Sequence, residues 1–232
     1  MNPKKNKQKQ KKEKKKIIPP LSLELDKPIS DEVSCFCAAI LFMIEGAELK
    51  FAYVPYRYKG KGYKVIKFPG GMCKPKETPL KAVKREMEEE LGVCLKESDF
   101  SFLLHIETTS TQSRGNDQHF KLFFVVKNEI KDKLRDTPYD EETGVPEWGS
   151  LSFLQKNLYK DHSMVFNNVI NVFFEEFIKQ NNTLGLMGLY NYYNELEEKD
   201  KINKIRGLVL QKAKKDMAFS FAYSEFLETL NI

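Results

Sequence analysis

Gly70–Val93 reads GGMCKPKETPLKAVKREMEEELGV, and more of the chemistry of this chain is written there than anywhere else in it. Thr78 before Pro79 marks a helix start, a hydroxyl cap followed by proline at the first helical position, where a missing N–H costs nothing. Gly92 supplies the stop. Between them Leu80, Val83, Met87 and Leu91 recur at spacings of three and four, an apolar stripe that must pack on something. Glu86, Glu89 and Glu90 stand at i, i+3 and i+4, so their carboxylates share an arc beside that stripe. Like charges at these spacings repel, and a hard cation such as Mg²⁺, which takes carboxylates, waters and phosphate oxygens, would relieve them. A solvated acidic face is the plain alternative for any glutamate-rich helix.

The lead-in Phe68-Pro69-Gly70-Gly71 follows a strand-like run, and its glycines let the backbone turn tightly and approach a bound group. Gly71, then Glu77, then Arg85-Glu86-Met87, then Glu89-Glu90, then Gly92-Val93 resembles the Nudix box with every position filled. Seven fixed residues, each at about one in fifteen by composition, leave little room for chance. The resemblance implies a divalent-metal-dependent hydrolase, using Mg²⁺ or Mn²⁺, that cleaves the pyrophosphate linkage of a nucleoside diphosphate joined to a moiety X. It implies metal ligation by Glu86, Glu89 and Glu90, and a supporting ion pair between Glu77 and Arg85. Direct catalysis by Glu77 or Arg85 is the second reading for that pair. The implied fold is α/β, a Nudix-type α/β/α sandwich around a mixed sheet, covering about residues 30–180.

Outside the box the chain divides readily. Net charge is +5, but the first sixteen residues carry +8 on their own and leave the remainder near neutral, at −3. Residues 1–29 are expected to be a disordered lysine-rich tail and a proline-containing linker. The lysines could hold RNA or another polyanion by counterion release, or serve only solubility. No apolar stretch follows them as in a secretory signal, and the longest apolar run, Val33–Ile44, is too short to span a bilayer. A cytoplasmic protein with no transmembrane segment is therefore expected.

Val33–Ile44, VSCFCAAILFMI, reads as a buried strand, paired through the Glu45-Gly46 turn with Glu48–Tyr58 as a hairpin. Cys35 and Cys37 share one face of it, while Cys73 and Cys94 lie far off in sequence; all four read as reduced core cysteines rather than a zinc site. Arg57 and Tyr58, ahead of Lys59-Gly60-Lys61-Gly62, are candidate substrate contacts along with Gly70 and Gly71, though the lysine-glycine run reads equally as a solubilising turn.

Phe100–Thr108 and Phe120–Lys127 read as strands joined by a polar loop, and Glu129–Pro146 as a long acidic loop. In some Nudix enzymes a glutamate of this region activates the attacking water, which makes Glu141 and Glu142 candidate general bases, with Glu86 or a metal-bound hydroxide as competitors. His105, His119 and His162 are scattered and read as satisfied or surface histidines. Subgroup markers beyond the box are absent, so X stays open. Asp161–Lys179 carries an amphipathic helix that closes the domain. Residues 181–232 suggest a helical extension of three helices, the last over Met217–Leu230, serving as a cap on the core, as a dimer surface or as a lid. A nucleotide-derived small molecule is the expected partner. An RNA 5′-end pyrophosphohydrolase of decapping type and a non-catalytic Nudix-fold nucleotide-binding module are the alternatives, and a homodimer is left open.

Overall fold

The computed structural model describes residues 25–28, 34–57, 64–110 and 117–230. The lysine tail, Tyr58 and the lysine-glycine run after it, and the centre of the polar loop lie outside the described residues.

The apolar run Val33–Ile44 is not one hairpin arm. It breaks at Leu41 into β1 (Ser34–Ile40) and β2 (Phe42–Glu45), which belong to different sheets. Only β2 pairs with β3 (Glu48–Arg57) in the expected hairpin. A continuously apolar run is what a strand buried on both faces requires, and β1 is that strand. It lies between β5 (Gly70–Met72), antiparallel, and β7 (Asp117–Val126), parallel, and β6 (Phe100–Ser110) completes the mixed sheet on the far side of β7. The second sheet is antiparallel, with β3 flanked by β2, β4 (Lys64–Lys67) and β8 (Glu147–Ser150).

The period of two along β1 and β7 sorts their side chains into two apolar cores. Cys35, Cys37 and Ala39 with Leu122 and Phe124 pack under α1 (Pro79–Glu86) through Ala82 and Val83, and under Met87 and Leu91 beyond it. Ala38, Ile40, Phe123 and Val125 face α3 (Lys160–Lys179), entered from α2 (Leu151–Asn157), through Val165, Phe166, Val169, Ile170 and Phe173. The fold is thus α/β, helices on both faces of mixed β structure.

The C-terminal extension has four helices rather than three: α4 (Thr183–Glu195), α5 (Lys199–Lys215), α6 (Met217–Ala222) and α7 (Ser224–Thr229). The expected last helix is interrupted at Tyr223, whose backbone leaves helical geometry at φ −121 and ψ 28. Leu186, Leu189, Tyr190 and Tyr193 of α4, Ile205 and Val209 of α5 and Phe219 of α6 all join the same apolar cluster as β2, β3 and α3. Among the described residues no helix is long and apolar enough to cross a membrane.

Candidate active site

The helix of the box begins where its cap dictates. Thr78 is extended, its hydroxyl accepts the Lys81 N–H at 3.2 Å, and Pro79 opens α1. After Glu86 the helix widens into a π turn, Met87–Leu91, which closes on Gly92 in the left-handed region at φ 74. Because Val83, Met87 and Leu91 must face the sheet, the glutamates are carried to its edge, against the loop from Gly70 to Glu77. Glu86 and Glu90 are not on a solvated face, at 7% and 4% exposed; Glu89 is half-buried and Glu88 exposed.

Arg85 organises this cluster. Its Nε and Nη2 donate to the two carboxylate oxygens of Glu77 at 2.9 and 3.0 Å, the two-pronged geometry a guanidinium provides. Nη2 also donates to the Met72 carbonyl at 3.0 Å. Nη1 reaches Glu86 at 2.5 Å and Glu89 at 2.8 Å, so all five N–H donors of the side chain are engaged. Glu77 additionally accepts the Lys74 N–H at 2.8 Å, which clamps the loop onto the helix. The guanidinium fork holds the Glu77 carboxyl below its ordinary range. Glu86 is pushed up, chiefly by burial.

Glu90 faces elsewhere. One oxygen accepts the Gly70 N–H at 2.6 Å and the other the Lys67 ammonium at 3.0 Å, while Lys67 also donates to the Gly70 carbonyl at 2.7 Å. Burial raises this carboxyl as well. Two glycines make the approach feasible. Gly70 has φ 154, and a Cβ there would lie 2.2 Å from the Cys37 carbonyl oxygen. A Cβ on Gly71 would lie 2.4 Å from a Glu86 carboxylate oxygen.

The long loop after β7 borders the same helix. The Arg135 side chain donates to the Glu89 carbonyl and stacks over Tyr139 at 5.7 Å, and its backbone N–H donates to the Leu91 carbonyl at 2.8 Å. Asp140 accepts the Glu142 and Thr143 N–H groups at 2.9 and 2.7 Å. Glu142 accepts the Tyr56 hydroxyl at 2.8 Å, and its carbonyl accepts the N–H of Arg57 at 2.8 Å. Glu141 is exposed, as is the Arg57 side chain at the end of β3. His162 is a core residue: its Nδ1 accepts the Phe68 N–H at 3.1 Å, and burial first of all lowers its pKa to about 3.

The structure therefore brings Glu77, Arg85, Glu86 and Glu89 to one point and Glu90, Lys67 and Gly70 to another. Lys67 escaped the sequence reading, because a lysine two residues before Pro69 carries no signal until β4 places it over Glu90. Among the described residues, the three glutamates do not gather with their oxygens all within 4.8 Å of one another; three cysteines do. A hard cation nevertheless suits the donor set. The positive Nη1 of Arg85 already stands within 2.5–2.8 Å of both Glu86 and Glu89, so a buried and a half-buried carboxylate converge on one positive centre.

A family profile described as NUDIX domain matches residues 38–169. The chain belongs to the Nudix family. No curated protein matches it by sequence. Among solved structures, the NUDIX domain of Shewanella oneidensis NrtR, in complex with ADP ribose, is 16% identical, with a TM-score of 0.50 over 62% of this chain and 89% of that one. A MutT/nudix family protein from Enterococcus faecalis is 17% identical, with a TM-score of 0.48 over 62% of this chain; the match spans 63% of that protein's chain. An Ap4A hydrolase from C. elegans is 13% identical, with a TM-score of 0.45 over 60% of this chain and 97% of that one.

Proposed function

We propose that this protein is a divalent-metal-dependent hydrolase that cleaves the pyrophosphate linkage of a nucleotide-derived substrate. The observation that carries the reading is the convergence of the buried Glu86 and half-buried Glu89 on a single positive atom, in a chain with a complete Nudix box. Glu86 and Glu89 would hold Mg²⁺ or Mn²⁺. Such an ion, when bound, neutralises charge on diphosphate oxygens and acidifies water.

The chain's own groups do the rest. Arg85 and Glu77 fix the loop, so that the two carboxylates are presented from a rigid frame. Glu90, neutralised by Lys67, holds the Gly70 N–H and with it the glycine turn on which a phosphate would lie. Lys67, beside Tyr56, adds positive charge near that turn. Glu142, held by the Tyr56 hydroxyl on the bordering loop, is the general-base candidate for which this structure supplies a support; its exposed neighbour Glu141 is the second. Arg57 would contact X at the rim.

The test is product release from a panel of nucleoside diphosphate derivatives and capped RNA, with Mg²⁺ and Mn²⁺, beside Glu89→Gln. Turnover that needs the ion and falls by at least about a hundredfold in the variant supports the hydrolase. Binding of a panel member without turnover, unchanged in Glu89→Gln, replaces it with a nucleotide-binding module. Removal of residues 1–16 separates RNA from small nucleotides, because only RNA cleavage should weaken and lose its salt dependence.

A further inference from the structure

Cys73, far from Cys35 and Cys37 in sequence, is brought beside them by the pairing of β5 with β1. The register sets Phe36 opposite Met72, and the Cys73 N–H donates to the Cys35 carbonyl at 2.8 Å, so the ladder continues one residue past β5. Cys35 and Cys37, two apart on one strand, point to the same side and meet it there. The Sγ atoms of Cys35 and Cys37 are 3.8 Å apart, those of Cys37 and Cys73 are 3.4 Å apart, and all three lie within 4.8 Å of one another. The cluster sits under α1: Cys35 and Cys37 are buried, and Cys73 is half-exposed.

Two geometrical facts say what these thiols suit. Thiolates sharing one ion at about 2.3 Å lie ~3.8–4.0 Å from each other; the Cys35–Cys37 separation of 3.8 Å matches this, and Cys37–Cys73, at 3.4 Å, needs a small opening. The register sets Cys35 opposite Cys73, within disulfide reach, but a disulfide would leave Cys37 out, and it fits poorly at the shortest contact. Cys37 is paired across the ladder with Gly71, so Cys37 and Cys73 are diagonal neighbours. Such positions have Cα atoms about 7–8 Å apart, at or beyond the reach of a disulfide. No fourth histidine, cysteine or carboxylate ligand joins the three within that radius among the described residues. Three sulfurs without a nitrogen or oxygen partner select a soft ion over Mg²⁺ or Mn²⁺.

We propose that Cys35, Cys37 and Cys73 form a three-coordinate site for the soft cation Cu⁺, separate from the carboxylate site. Hydrogen bonds from Cys35 and Cys37 favour Cys73 as the thiolate, at about 4, while hydrogen bonding to the other two sulfurs and burial push Cys37 up. Binding exchanges the thiol protons of the cluster for the ion, the protons passing to the buffer. A bound ion would pin the box loop to β1, because Cys73 lies between Met72, whose carbonyl receives Arg85, and Lys74, whose N–H donates to Glu77.

The experiment uses the full-length protein, fully reduced and free of oxygen, titrated with Cu⁺ held by a chromophoric bicinchoninate competitor, with Zn²⁺ in a parallel arm. The wild type is expected to withdraw one equivalent of Cu⁺ and to show a higher Tm when loaded. Cys94→Ser, which removes the exposed fourth cysteine, should behave the same. Cys73→Ser should lose the equivalent; that cysteine is half-exposed, and circular dichroism and Tm of the unloaded protein establish that the variant is folded. If wild type and Cys73→Ser withdraw equal Cu⁺, or if Cys94→Ser is the variant that loses it, the site is refuted. Uptake of Zn²⁺ alone overturns the Cu⁺ assignment.

Discussion

Lys67→Met removes one charge of the most buried ion pair in the candidate site and leaves the other in place. The side chains of Lys67 and Glu90 are 14% and 5% exposed and 3.0 Å apart. Breaking such a pair from one side costs about 3–5 kcal/mol, because the surviving charge stays buried and unpaired. The small opening at Lys67 admits some solvent and places this case near 3 kcal/mol. With an m-value of about 2 kcal/mol/M, the urea midpoint should fall by roughly 1.5 M at neutral pH. The deficit should depend on pH with a defined sign. Burial raises the Glu90 carboxyl above its unfolded value, so at pH values between the two the folded state holds a proton that the unfolded state has released, and above both the carboxylate is charged and paired with Lys67. Stability from this group is fully present below the unfolded carboxyl pKa and is lost as pH rises through the folded one. Removing Lys67 raises the folded value further. The difference between wild type and Lys67→Met should thus be largest near neutrality and shrink toward pH 4. Lys67→Met with Glu90→Gln should regain most of the loss, short by about 1 kcal/mol for the missing bond to the Gly70 carbonyl. Urea unfolding followed by circular dichroism across pH 4–8 reads all of this. A variant as stable as wild type at neutral pH, or a deficit indifferent both to pH and to Glu90→Gln, would refute the reasoning.

Gly71→Ala places a methyl 2.4 Å from the Glu86 carboxylate; we expect a stability loss of about 1–3 kcal/mol in urea unfolding and a larger proportional loss of turnover. Arg85→Lys keeps the charge but not the fork on Glu77 and should cost about 1.5–3 kcal/mol by the same assay, so an unchanged midpoint would show that the fork is dispensable. His162, held near 3 by burial, contributes stability that is present above its unfolded pKa of about 6.5 and is lost as pH falls toward the folded value. His162→Gln, which retains an acceptor for the Phe68 N–H, should flatten that part of the acid unfolding curve.

The box helix was the most legible element. Its cap, its first proline, its apolar stripe and its glycine stop are local signals, and each acts over a few residues. The π turn was not legible, because nothing in MEEEL distinguishes a widened turn from a regular one; past it Glu90 meets Lys67 and the Gly70 N–H, whereas Glu86 and Glu89 meet Arg85. The run VSCFCAAILFMI announced burial but not its break at Leu41, since apolar periodicity carries no information about which sheet a strand joins. The cysteine cluster failed for the same reason. Its third member arrives through a strand register, and register is set by the whole sheet rather than by the spacing of cysteines. Tyr223 splits the final helix where α6 turns back on the core, a tertiary decision the helical period does not record.

The sharing of one apolar cluster by β2, β3, α3 and the C-terminal helices bears on how the chain is made. On the ribosome, Phe42, Leu49 and Phe51 emerge more than a hundred residues before Phe173, Tyr190 and Val209, which cover them. β1 likewise waits for β7. The nascent protein therefore carries uncovered strands through most of its synthesis, and sealing is left to roughly the last third of the sequence. A chain released early would present those phenylalanines to its neighbours, so synthesis rate and chaperone supply would govern its yield more than the stability of the finished fold.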